Sequence, residues 1–139
     1  MTVDKPELLG GKRVLVVEDG PTTTHGGVPG GAGLRVANQV GATPVDPRPW
    51  AAGSIGEVYR RFPHIGPVLP AMGYSESQRL DLQATIAATP CDAVLVATPI
   101  DLRRVVSIKK PVVRATYRAA FEQPDALAAL LTRFNPTSA

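Results

Sequence analysis

Cysteine is nearly absent from this sequence: Cys91 stands alone among 139 residues. One thiol excludes an internal disulfide and a cysteine-cluster metal site. Lying just ahead of an apolar run, Cys91 reads as a small buried hydrophobe. Long apolar stretches are missing too, since none approaches the roughly 20 residues of a membrane helix. No charged-then-apolar leader opens the chain, so the expectation is a cytoplasmic protein with no membrane partner. Charge of one sign is also lacking. The net +3 is carried mostly by arginine without a dense basic block, which gives little support to a nucleic-acid partner. Arginine-rich basicity suits a small polyanion at least as well. Nowhere does the chain contain GxxxxGK[ST], and Gly31-Ala32-Gly33 lacks the third glycine of a dinucleotide fingerprint. The first absence excludes a P-loop in this chain, and the second disfavours a nicotinamide-dependent oxidoreductase.

What is present suits one globular domain: 44% of residues are hydrophobic and 19% charged, with 14 prolines and 13 glycines falling mostly between apolar runs. A polar lead-in over residues 1–12, one α/β domain over 13–134 and a tail over 135–139 are expected. Residues 14–17 (VLVV) and 93–97 (AVLVA) form continuous β-branched runs of the kind buried on both faces in a parallel sheet. Short strands are expected at 43–45 and 68–69. The stretch 112–117 alternates apolar residues with Arg114 and Thr116, which predicts a wetter edge strand. Helices are expected near 34–40, ended by Gly41, and from Ser54, with Glu57 completing a capping box. Two more should open at Ser75, with Gln78 as box partner, and at Pro124, whose stripe is Leu127, Leu130, Leu131 and Phe134. Asp101 can cap a short helix through Val106. The alternation of strand and helix predicts a three-layer α/β sandwich with a mostly parallel sheet of about five strands, Rossmann-like and without a P-loop.

In such sheets ligands sit beyond the carboxyl ends of the strands. There the chain places Glu18-Asp19-Gly20, then Thr22, Thr23, Thr24, His25, Gly26 and Gly27, and then Gly31 and Gly33. Glycines let amide hydrogens converge, and the following helix adds its positive end, so the turn can hold a phosphate-type anion. The threonines supply hydroxyls, and His25 can donate a proton or a hydrogen bond. Glu18 and Asp19, leaving a buried strand, can hold Mg²⁺ directly or through water. The duller reading is a surface loop whose glycines serve only for turning. Thr98 and Asp101, after the second strong strand, can bind a hydroxyl, a ring N–H or a hydrated metal, or Asp101 can simply cap a helix. Arg48 can clamp a phosphate bidentately or pair with Asp46. His64 reads as structural, while Trp50 and Tyr74 can stack on a planar ligand or pack as a lid.

The runs VLVVEDGPTTTHGG, GGAG, VDPRPWAAGSI, PHIGPVLPAMGY and ATPIDLRRV, in that order from about Arg13 to Arg118, resemble the cyclic 2,3-diphosphoglycerate synthetase family. The match covers what looks like the C-terminal part of that family, whose members resemble P-loop nucleoside triphosphatases. The resemblance implies ATP- or GTP-dependent phosphoryl transfer with a divalent metal. It gives Glu18-Asp19 a Walker-B-like place and sets Thr98 to Asp101 where a base-recognition loop falls. With the P-loop lysine missing, it implies a phosphate clamp supplied by a separate P-loop subunit or by a site between copies in a homo-oligomer. The expected partner is a small phosphorylated ligand. A non-catalytic phosphometabolite-binding or assembly domain is the alternative.

Overall fold

The computed structural model describes residues 2–20, 30–99 and 101–116. The expected strand end at Tyr117, the helix from Pro124 and the tail lie outside them. Strands β1 (Thr2–Val3), β2 (Arg13–Asp19), β3 (Thr43–Pro44), β4 (Leu69–Ala71), β5 (Ala93–Ala97) and β6 (Val112–Thr116) form one sheet in the order β1-β6-β5-β2-β3, with β4 also on β2. Helices α1 (Ala32–Gln39), α2 (Ser54–Arg61) and α3 (Glu76–Ala88) complete the three-layer α/β sandwich. Among the described residues no helix is long and apolar enough to cross a membrane.

The two apolar runs become the centre of the sheet. Residues 14–17 have no exposed surface, and 93–96 at most 1%. They pair in parallel from Val14 opposite Ala93 to Glu18 opposite Ala97. On its other side β2 is shared: β3 takes Arg13 and Val14, whereas β4 takes Val17, Glu18 and Asp19. Cys91, at the approach to β5, is half-buried against this core rather than enclosed by it.

Three local expectations change. The predicted edge strand β6 is interior, because β1 pairs with it antiparallel, Thr2 opposite Thr116 and Val3 opposite Ala115. A two-residue strand from a polar lead-in carries no periodicity, so only its tertiary pairing reveals it. At α2 the N-cap is Gly53 (φ +52°), not Ser54. The carboxylate of Asp81 on α3 accepts the Ser54 N–H at 3.1 Å and its hydroxyl at 2.9 Å, and Glu57 pairs with Arg60 instead. A Cβ on Gly53 would lie 2.5 Å from that carboxylate, so the cap requires glycine. Third, Asp101 caps only a 3-10 turn over Leu102–Arg104. The Ser75–Gln78 capping box forms as the spacing predicts, and Gly41 takes the left-handed position (φ +81°) that ends α1.

Candidate functional site

The connection leaving β2 runs through α1 to β3, whereas the one leaving adjacent β5 runs to β6 on the opposite side. The two chains diverge between β2 and β5, and this is the switch point where open α/β sheets form a ligand crevice. Glu18 and Asp19 end β2 there, and Thr98 follows β5.

Glu18 is 2% exposed despite its charge. Its Oε2 accepts the N–H of Gly31 at 2.6 Å and of Leu34 at 3.1 Å, and its Oε1 accepts the N–H of Gly33 at 3.3 Å. These are amides of the first turn of α1, which lacks a side-chain cap of its own. A buried carboxylate is tolerable when amide hydrogens and a helix's positive end compensate it. The glycines make the approach possible: a Cβ on Gly33 would stand 2.8 Å from that of Ala97 and 3.1 Å from Val16. The structure thus brings Gly31 and Gly33 onto Glu18 itself. Gly20 packs as tightly, since a Cβ there would meet Met72 Sδ at 2.6 Å and the Ala71 carbonyl at 3.0 Å.

Asp19 is half-buried. The Tyr74 hydroxyl is buried beside Asp19 and Thr98. Burial raises its pKa first, the negative charge of Asp19 adds to that, and Thr98 opposes both. A carboxylate and two hydroxyls therefore converge on the switch point from β2, from the loop after β4 and from the end of β5. Sequence read Tyr74 as a stacking or lid residue; the fold brings its phenol beside Asp19 and Thr98.

Arg48 follows β3 and spends its guanidinium on other parts of the fold. Its guanidinium donates to the carbonyls of Ile65 and Gly66, pairs with Asp46 at 3.2 Å and lies 4.5 Å from the centre of the Tyr59 ring. Tyr59 donates in turn to the Val68 carbonyl. Asp101 is held by Arg103, whose Nη2 donates at 2.7 Å and Nε at 2.9 Å, and these bonds lower its pKa to about 2. His64 packs edge-on against Phe62. Thr22, Thr23, Thr24, His25, Gly26 and Gly27 lie outside the described residues. Among the described residues no group of three metal-ligating side chains occurs.

The fold defines a Rossmann-like α/β domain with Asp19, Tyr74 and Thr98 near its switch point. Over 116 residues, 83% of the chain, its sequence is 54% identical to the arginine synthetase ArcE of Thermococcus kodakarensis. The match takes in 26% of that protein, so the chain spans about a quarter of its relative's length. No protein-family model and no solved structure match the chain. A synthetase relative agrees with the synthetase class that the motifs resemble, although its name specifies arginine and not a cyclic diphosphoglycerate.

Proposed function

We propose that this chain is the ligand-binding α/β part of a nucleotide-dependent synthetase, and that the crevice between β2 and β5 holds the reacting ligand. The observation that carries the reading is the convergence of Asp19, Tyr74 and Thr98 on the switch point. The kinship with an arginine synthetase supports the reaction class and favours an amino-acid product over a cyclic diphosphoglycerate.

The residues divide by role. Glu18 has spent its oxygens on α1 and acts as a positioning residue, fixing the start of the helix and the direction in which Asp19 leaves β2. Asp19 fits Mg²⁺, which commonly takes one or two protein carboxylates and completes its shell with water and phosphate. When bound, the ion would neutralise phosphate charge from ATP or GTP. Thr98 and Tyr74 offer hydroxyls to ligand oxygens, and His25 with Thr22 to Thr24 belongs to the sequence that follows Asp19. A lysine-type phosphate clamp would come from another part of a longer protein or from a partner subunit.

Calorimetric titration of the full chain with ATP, GTP and arginine, each with and without Mg²⁺, tests the reading. Mg²⁺-dependent binding of a nucleotide, weakened at least tenfold in Asp19→Asn, is expected. Absence of heat with all three ligands, or binding indifferent to Asp19, would overturn it.

A further inference from the structure

Beside the switch point, past the carboxyl end of β5, a second cleft opens toward β6. It has a volume of about 440 Å³ and is lined by Pro99, Asp101, Arg104, Val105 and Arg114. That size is within the range of small-molecule sites. Its charge is decided by pairing. Asp101 is bound twice over by Arg103, and its carboxylate also attracts Arg114. Arg104 is exposed. The two lining guanidiniums, Arg104 and Arg114, therefore leave the cleft positive.

Arg114 is the more informative of the two. Its backbone N–H donates to Asp4 at 2.9 Å, which ties β6 to the segment after β1. Its Nη2 donates to the Pro99 carbonyl at 3.0 Å, which holds the fork in one orientation. Its Nε is nevertheless buried without any hydrogen-bond partner. The guanidinium is thus held at one end by the Pro99 carbonyl, with its other terminal nitrogen left for a ligand in the cleft. A planar fork beside a second arginine matches the oxygens of a phosphate group better than a point charge would.

We propose that the Arg104–Arg114 cleft binds the phosphate group of a ligand, as a site distinct from the Asp19 crevice. It requires no cation, because its charge is already positive, and in this it differs from the neighbouring site. The phosphate can belong to a nucleotide or to a small phosphorylated metabolite.

The test is titration of the full chain with pyrophosphate in the presence of a chelator, followed by ADP and 2,3-bisphosphoglycerate to distinguish the two sources. Pyrophosphate should bind without metal. Arg104→Gln should weaken it at least tenfold, Arg114→Lys should weaken it similarly by removing the fork while keeping the charge, and Asp19→Asn should leave it unchanged. Arg104 is exposed, so its variant keeps the test valid even if changing Arg114 disturbs β6. Absence of pyrophosphate binding, or equal binding by wild type and Arg104→Gln, would overturn the site while leaving the Asp19 reading intact.

Discussion

The carboxylate of Glu18 and the amide of Gly31 meet at 2.6 Å in a part of the protein closed to water. A strand end and a helix start, separated by the whole glycine-rich segment of the sequence, are thereby locked together by the strand's own side chain. The anion at the positive end of α1 is internal.

Removing that carboxylate should be expensive. Glu18→Gln keeps the size but turns an NH₂ group toward amides that need acceptors. Leaving a buried donor unmet costs about 1–3 kcal/mol, and Glu18→Ala, which strands all three amides, should cost more. Urea unfolding checks this, and an unchanged midpoint in Glu18→Ala would show that the cap contributes no stability.

Arg48 separates a structural clasp from a phosphate clamp. It holds the carbonyls of Ile65 and Gly66 and covers the Tyr59 ring. Arg48→Gln should therefore lower stability by about 1.5–3 kcal/mol, the range for hydrogen bonds to a charged group. Nucleotide binding measured on the folded fraction should stay within twofold of wild type. A variant of normal stability that has lost nucleotide binding would reverse this assignment.

The Asp101 carboxyl titrates at about 2, chiefly because Arg103 donates hydrogen bonds to it. A depressed carboxylate contributes stability that is present above its unfolded value, about 3.9, and is lost as pH falls through the folded value. The pair is partly exposed, so the contribution at neutral pH is small. Carboxyl chemical shifts should show a midpoint near 2, moving up toward the ordinary value in Arg103→Gln. An identical midpoint in that variant would discard the pairing as its cause.

The elements that sequence made legible are those whose signals are local. Continuous β-branched runs marked β2 and β5, and the three-residue spacing of Ser75 and Gln78 marked the start of α3. What stayed hidden depends on partners far along the chain. Asp81 caps α2 from 27 residues away, and β1 exists only because β6 lies beside it. The candidate site divides in the same way. Glu18 and Asp19 stood out as acids at the end of an apolar run, but nothing in their neighbourhood told that one turns inward to α1. Tyr74 stood out for its ring and Arg114 as the wet face of a strand, since their hydroxyl and guanidinium gain further meaning only from the strands that surround them.

The interleaving of the sheet has a consequence for how the chain reaches this structure. Every neighbour of β2 comes from later in the sequence, and the pairing of Val14 with Ala93 closes a loop that contains α1, α2 and α3. Such distant contacts make folding slow compared with a helical bundle of equal size, because chain entropy is lost before the pairing repays it. During synthesis residues 14–17 emerge long before β5 is available to cover them. The most buried segment of the finished protein thus waits through the synthesis of α1, α2 and α3 for β5, and during that interval the chain is open to misassembly.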